Sequence, residues 1–524
     1  MKLTWLLLLW FISVGVYAAE SDPQATTQGG VVEGIWIGRT RAFLGIPYAA
    51  PPIGDLRWRP PAPAEPWTDV RPTKHFGSRC PQPTVWHDMV FRDAGPSEDC
   101  LYLNVWSPAE VPGKGLPVLV WIHGGGLHSG GTSEATCDGA RLAARGAVVV
   151  SIGYRLGIFG FMVHPELIAE SPRQAAGNYG LLDQIAALRW VRDNIRAFGG
   201  DPGCVTLFGQ SAGANCVNAH MASPLAEGLF HRAIGQSGSN HDVNPAPNTA
   251  ALSEKAAQTA VFLKQKTGAE TMAELRALPA DRLLAATEDA PAGVDFTDIV
   301  VDGYFLHATV DDVFAAGAQH RTPLLISWTR EESVMLKPAE PAETALPKIA
   351  RQYFPAHADE ILHAYPGENP EQATRSLARL GDDFYTLSSW NWLRLHVETS
   401  QQAAYLCRFD RTPVAAPGQK PRGAVHSSDL PYLFGTFDAI TRFAWSQEDY
   451  AVSKLMQSYW INFARDGDPN GPDLPKWTAY TPKGEKQAMY LDTRSQVGPA
   501  EAEARHELLD RAVTAARAAA LTTP

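Results

Sequence analysis

Apolar runs alternate with a different period along the middle of the chain. Leu-Pro-Val-Leu-Val-Trp-Ile at 116–122 and Ala-Val-Val-Val-Ser-Ile at 147–152 are almost free of polar residues. Such runs predict strands buried on both faces. Between 181 and 198 the apolar residues Leu182, Ile185, Leu188, Val191 and Ile195 recur at helical spacing, and Gly199-Gly200 ends the stretch. Short apolar runs at 205–208, 323–328 and 403–409 predict further strands. The first of these leads at once into Gly209-Gln210-Ser211-Ala212-Gly213 and a helix-like stretch. Strands interleaved with helices predict an α/β fold with a large, mostly parallel sheet covered on both faces. No period of roughly 20–50 residues repeats, which speaks against a solenoid or propeller.

The N-terminus follows another pattern. One positive charge at Lys2 precedes a mostly apolar stretch at 3–17, then the small residues Ala18 and Ala19 and the polar run Glu20-Ser21-Asp22. This predicts a signal peptide at 1–19, cleaved after Ala18 or Ala19, and a secreted or periplasmic mature chain beginning at 20. The apolar core is short of the ~20 residues that a spanning helix needs, and no second run approaches that length, so no stable membrane insertion is expected. The remaining composition is that of a folded protein, 45% hydrophobic and 19% charged. A formal net charge of -11 offers no footprint for nucleic acid. With 524 residues, the usual prior of roughly 150 per domain suggests several domains.

Export changes the reading of the cysteines at 80, 100, 137, 204, 216 and 407, which form no CxxC pair and no Cys/His cluster at zinc spacing. In an oxidising compartment Cys80 and Cys100 could close a Pro- and Gly-rich surface loop, worth ~3 kcal/mol on the chain-entropy model. Cys204 and Cys216 flank Ser211 but should not bond. The first lies ~20 Å below it at ~3.3 Å per strand residue, and the second only ~7.5 Å along a helix. A disulfide needs Cα atoms within ~7 Å.

The chemistry starts at 209–213. Gly-x-Ser-x-Gly alone is a common turn, but here it follows a strand and opens a helix, the setting of a nucleophile elbow with Ser211 at its apex. A serine hydroxyl is a weak nucleophile and requires a base and an acid that orients that base. After the strand at 116–122 comes His123-Gly124-Gly125-Gly126, whose backbone can approach a developing oxyanion closely. The N–H groups of Gly125, Gly126 and Ala212 are the expected oxyanion donors. A dinucleotide loop is disfavoured because 124–129 lacks the third glycine of G-x-G-x-x-G and no Walker lysine follows. In this architecture the acid and then the base follow the serine in chain order. Glu331 and Glu332 follow the strand at 323–328, and Asp302 in Val-Val-Asp-Gly is their competitor, although Asp-Gly there reads as a turn. His426 lies in a loop beyond the strand at 403–409, whereas His220 and His231 read as packing or surface residues.

At this point the chain resembles the type B carboxylesterase family, over about residues 34–491. The resemblance rests on Phe43-Leu-Gly-Ile-Pro-Tyr-Ala-Ala-Pro-Pro, Ser97-Glu-Asp-Cys-Leu-Tyr-Leu-Asn-Val-Trp106 and the His-Gly-Gly-Gly loop. It extends through Asn178-Tyr-Gly-Leu-Leu-Asp-Gln184, Phe198-Gly-Gly-Asp-Pro202, Phe208-Gly-Gln-Ser-Ala-Gly213 and Tyr459-Trp-Ile-Asn-Phe-Ala464. It implies an α/β-hydrolase fold with long insertions forming an active-site gorge. It also implies Ser211 as nucleophile, His426 as base and Glu332, rather than Glu331, as orienting acid. A Cys80–Cys100 disulfide and an Arg57–Glu98 ion pair come with it. The implied activity is two-step hydrolysis of a small-molecule carboxylic ester, with no cofactor and no metal.

The chain departs from the family pattern in places. Gln210 stands where the family often has Glu, which removes a negative charge beside Ser211. The acid lies in Ser327-Trp-Thr-Arg-Glu-Glu-Ser333 rather than Gly-x-Asn-x-Asp-Glu-Gly, and His426-Ser-Ser-Asp429 replaces the commoner His-Gly-x-Glu. Trp86 does not align with the choline-binding tryptophan of cholinesterases and is read as loop packing, with lining of the gorge as the alternative. Rival readings are a non-catalytic adhesion protein of this fold, and an amidase or lipase using the same residues. Elements as distant as 211, 332 and 426 must meet at one sheet. The expectation is therefore a single domain over 20–524 rather than several.

Overall fold

The computed structural model describes residues 21–110, 115–245, 251–332, 340–481, 484 and 486–522; the signal peptide expected at 1–19 lies outside the described residues. An 11-stranded sheet is built from β1 (Ile35–Ile37), β2 (Thr40–Pro47), β3 (Tyr102–Pro108), β4 (Leu116–Ile122), β5 (Val148–Ile152), β6 (Gly200–Gln210), β7 (Arg232–Gln236), β8 (Leu324–Thr329), β9 (Ala404–Phe409), β10 (Gln487–Leu491) and β11 (Gln496–Pro499). Its spatial order is β11-β10-β9-β8-β7-β6-β4-β5-β3-β2-β1. From β5 across to β10 the neighbours run parallel. The two ends are finished by antiparallel pairs. The principal helices are α1 (Tyr179–Asn194), α2 (Ala212–Ala222), α3 (Pro370–Ser400), α4 (Leu430–Phe434) and α5 (Gln447–Asp466).

Every residue of β4 and β5 is buried, as a parallel sheet covered on both faces requires. The period of two then sorts the side chains of β4 between two cores. Val118, Val120 and Ile122 pack with Leu181, Ile185, Leu188 and Val191 of α1. Leu119 and Trp121 join Phe434 of α4 and Trp460 and Phe463 of α5 on the opposite side. The helical period at 181–198 becomes α1 followed by a tighter turn, Ile195–Phe198, which stops at Gly199 with φ 89°. One strand is longer than its pattern indicates. β6 starts at Gly200, five residues before the apolar run, because Gly200 pairs with Leu116 of β4. The pairing partner, not local hydrophobicity, recruits those polar residues.

Buried polar ties hold the loops above the sheet. Arg155, just beyond β5, grips Asp183 of α1 through Nε (2.8 Å) and Nη2 (2.7 Å), with both side chains out of solvent. Arg57 Nε donates to Glu98 at 2.7 Å, while its Nη1 donates to the carbonyls of Arg276 (2.9 Å) and Leu278 (2.7 Å). A guanidinium with this many acceptors keeps its hydrogen bonding after leaving water. Cys80 and Cys100 are joined in a disulfide with Cα atoms 5.0 Å apart. Cys137, Cys204, Cys216 and Cys407 are free thiols, and the Cys204–Cys216 pair is unbonded, as the strand and helix distances require. Among the described residues no helix is long and apolar enough to cross a membrane.

Histidines contribute to the core in neutral form. Burial pushes the pKa of His123, His396 and His506 down to about 4 and that of His220 to about 3. The unfolded chain therefore takes up these protons first as pH falls, so stability is lost between about pH 6.5 and 4. Burial moves Asp429 up to about 6 and Glu134 up to about 7, which opposes this trend with fewer groups. The thermal midpoint should be flat near pH 7–8 and fall steadily below pH 6.5; scanning calorimetry that finds it rising on acidification would contradict this assignment.

Candidate active site

β6 ends at Gln210 and α2 starts at Ala212, leaving Ser211 alone to make the turn. It does so at φ 56° and ψ −129°, a region that costs an L-residue energy and persists only where the surroundings enforce it. The enforcing contact is visible at the flanking glycines. A Cβ on Gly209 would sit 2.5 Å from the Gly213 carbonyl carbon, and one on Gly213 would sit 2.1 Å from the Ile122 carbonyl oxygen. No side chain fits at either position, so the strand, the helix and the end of β4 close on one another and leave Ser211 at the tip.

The same closure brings the glycine loop to the serine. Because β4 is the neighbour of β6, the chain leaving Ile122 passes directly beside the turn. A Cβ on Gly124 would lie 3.1 Å from Cβ of Ser211. Gly125 and Gly126 take φ of 107° and 67°, open to glycine and disfavoured for other residues. Among the described residues, none accepts a hydrogen bond from the N–H of Gly125 or Gly126. Ala212 is the first residue of α2, so its N–H has no intrahelical acceptor either. The loop is anchored from behind by Tyr154, whose hydroxyl donates to the His123 carbonyl at 2.8 Å and whose ring stacks on that histidine.

Glu332 follows β8 and is 1% exposed. Its Oε1 accepts the Thr329 N–H at 2.7 Å, and its Oε2 accepts from His426 Nδ1 at 2.6 Å. Burial pushes this carboxyl upward, but the His426 charge and these hydrogen bonds outweigh it and hold the pKa below its ordinary value. Reciprocally, burial lowers His426, and Glu332 more than compensates, so the imidazole pKa is raised. His426 Nε2 faces Gln210, whose amide Nε2 donates to it at 3.0 Å. Those partners assign the tautomer: Nδ1 carries the proton and Nε2 keeps its lone pair. Glu331, one residue earlier, pairs with Arg330 in solvent.

The other sequence candidates are placed elsewhere. Asp302 Oδ1 accepts the N–H groups of Tyr304, Phe305 and Leu306, which makes it a turn anchor. His220 is buried against Gln184 at 2.7 Å, and His231 Nδ1 accepts the Val205 N–H. Trp86 is 44% exposed and stacks on His128 of the glycine loop. Sequence reasoning missed Tyr385, whose ring meets His426 edge-on at 5.5 Å. Nothing marks it in the sequence, because it lies inside the long helix α3. Asp429 was noted only as a departure; it is buried and accepts from Gln236 Nε2 at 2.6 Å. Among the described residues no group of three or more His, Cys, Asp or Glu side chains could hold a metal ion.

Comparison with known proteins gives a consistent picture. The carboxylesterase family model matches residues 21–509. The fumonisin B1 esterase of Sphingopyxis macrogoltabida is 36% identical over 520 residues, covering 95% of this chain and 92% of that protein. The para-nitrobenzyl esterase of Bacillus subtilis is 35% identical, covering 92% and 98%. A solved para-nitrobenzyl esterase structure superposes with a TM-score of 0.80 at 32% identity, covering 93% of this chain and 99% of that one. A thermophilic para-nitrobenzyl esterase structure gives 0.79 at 32% identity, covering 93% and 100%.

The Gln210 contact makes a measurable demand. A carboxylate at this position would favour the imidazolium, so Gln210→Glu should raise the His426 pKa further. An NMR titration of the His426 ring reads this directly; an unchanged or lowered midpoint would contradict the contact.

Proposed function

The chain belongs to the carboxylesterase family, with an α/β-hydrolase fold, and is a carboxylic ester hydrolase; from that premise we propose that it works through Ser211, His426 and Glu332 by way of an acyl-enzyme. The observation that carries this reading is the 2.6 Å bond from His426 Nδ1 to buried Glu332, set beside the forced Ser211 turn. His426 Nε2 takes the Ser211 proton as Oγ attacks the ester carbonyl, and Glu332 stabilises the imidazolium that results. The N–H groups of Gly125, Gly126 and Ala212 receive the oxyanion. The imidazolium then gives its proton to the departing alcohol. Water, deprotonated in the same way, attacks the acyl group and releases the acid.

The domain and cellular readings belong to the same proposal. Residues 20–524 act as one catalytic domain, since strands from both halves of the sheet deliver the site. Cleavage of the signal peptide at 1–19 exports the enzyme, a reading supported by the Cys80–Cys100 disulfide, which suits an oxidising compartment. The relatives are named for fumonisin B1 and para-nitrobenzyl esters, so neutral nitrobenzyl or nitrophenyl esters are suitable first substrates.

Ser211→Ala should lower kcat/KM by about 10³-fold or more, with an unchanged thermal midpoint. For the wild type, kcat/KM should rise with pH through a midpoint above 6.5, because His426 must be neutral and Glu332 raises its pKa. Stopped assays across pH 5–9 check both, and full turnover by the alanine variant would remove Ser211 from the mechanism.

A further inference from the structure

A cavity of about 350 Å³ lies apart from the catalytic group: neither Ser211, His426 and Glu332 nor the 124–126 loop borders it. Its size is that of a small-molecule site, which spans roughly 300–1,000 Å³. Three segments distant in sequence enclose it over the first turn of α1: residues 58–60, the short helix Pro165–Glu170 with the turn that follows, and Asp302 with Tyr304. Much of the wall is apolar. Trp58 is 1% exposed, and its indole N–H is already given to the Ile158 carbonyl at 2.8 Å, so it offers the cavity only ring surface. Leu167 and Leu182 continue that surface.

Two charges on the wall are unanswered, and they are of opposite sign. The Arg173 guanidinium rests over the Tyr304 ring, 5.4 Å from its centroid; among the described residues it has no carboxylate within ion-pair distance and gives no hydrogen bond. Asp302 is buried, and its Oδ1 is committed to the N–H groups of Tyr304, Phe305 and Leu306. Among the described residues its Oδ2 meets no donor and no cationic side chain. A carboxylate withdrawn from water without a counter-charge is costly. The other carboxylate of the wall is answered: Glu170 takes Arg276 at 3.0 and 2.8 Å and Arg59 at 3.5 Å. Arg173 and Asp302 are thus neighbours through Tyr304, one against its ring and the other on its backbone, without pairing with each other.

We propose that this cavity binds an apolar α-amino acid, with the carboxylate on Arg173, the ammonium on Asp302 Oδ2 and the side chain against Trp58, Leu167 and Leu182. A simple carboxylate would satisfy Arg173 and be repelled by Asp302, and a simple amine would meet the reverse. A ligand that carries both charges close together answers both, and each contact is then a charge-assisted hydrogen bond. Tyr179, on the same wall, is almost wholly buried, and its hydroxyl engages none of the described residues. Burial raises its pKa, so the phenol keeps its proton and supplies one more hydrogen bond to the polar end of the ligand. The site uses no group of the ester-hydrolysing machinery and stands independently of it.

Isothermal titration calorimetry of the full mature chain with L-phenylalanine tests this. Saturable binding at one site is expected, and prior reaction of the enzyme with a fluorophosphonate should leave the affinity unchanged. N-acetyl-phenylalanine, which lacks the ammonium, and phenylalanine amide, which lacks the carboxylate, should each bind about tenfold more weakly or worse. Arg173→Gln should weaken phenylalanine binding by a similar factor while leaving the thermal midpoint and the hydrolysis of a nitrophenyl ester at wild-type values. Asp302→Asn keeps an oxygen for the turn and removes the charge, so it should cause the same loss of affinity. No saturable binding at millimolar phenylalanine, equal affinity for either analogue, or equal affinity in Arg173→Gln overturns the proposal. So does loss of binding after the fluorophosphonate, which would put the amino acid in the catalytic site instead.

Discussion

The structure turns on a place where there is no room for a Cβ. At the junction of β6, α2 and β4, backbone atoms approach so closely that only glycine is tolerated at 209 and 213, and Ser211 is forced to φ 56°. A loose turn would let the serine relax into the broad extended region, with its hydroxyl lying along the sheet. The tight one lifts it above the strand ends at the first turn of α2, where a peptide N–H remains unclaimed. The same contact draws the chain leaving β4 against the serine, so Ser211 and the glycine loop are positioned by a single packing event. The parallel order β4-β6-β7-β8-β9 then determines what can stand nearby. Segments leaving the carboxyl ends of β7, β8 and β9 provide Ser237, Glu332 and His426 at the same edge.

Electrostatics completes what packing begins. Glu332 is out of solvent and would protonate if left alone; the imidazole and the Thr329 N–H keep it charged. That retained charge raises His426, so each group sets the state of the other. Gln210 contributes an amide beside Nε2, and buried Asp429 is shifted toward its neutral form. The result is a buried carboxylate paired with the imidazole, in a site that excludes water from the acid.

Much of this was legible before the fold was known, for physical reasons that differ by residue. Ser211 and the 124–126 loop announce themselves because close backbone contact demands glycine at fixed offsets. The central strands are legible because burial on both faces leaves an unbroken apolar run. His426 and Glu332 could be ranked by chain order, but choosing Glu332 over Glu331 needed the family resemblance, since adjacent residues of the same type carry no local distinction. The start of β6 was not legible, because its partner rather than its composition makes it a strand. Tyr385 was hidden for a related reason: in a helix of 31 residues, only tertiary packing says which aromatic faces the site. The prior for several domains, drawn from length, ignored that residues two hundred apart can share one sheet edge.

The central claim is that Ser211 carries the acyl group during turnover, and peptide mass spectrometry after acid quench tests it most directly. Enzyme mixed with excess nitrophenyl ester and quenched within the first turnovers should carry one acyl group, on the peptide containing Ser211. It should be absent after pre-treatment with a fluorophosphonate. An acyl group found on another residue, or hydrolysis at full rate with Ser211 already blocked, would contradict the account.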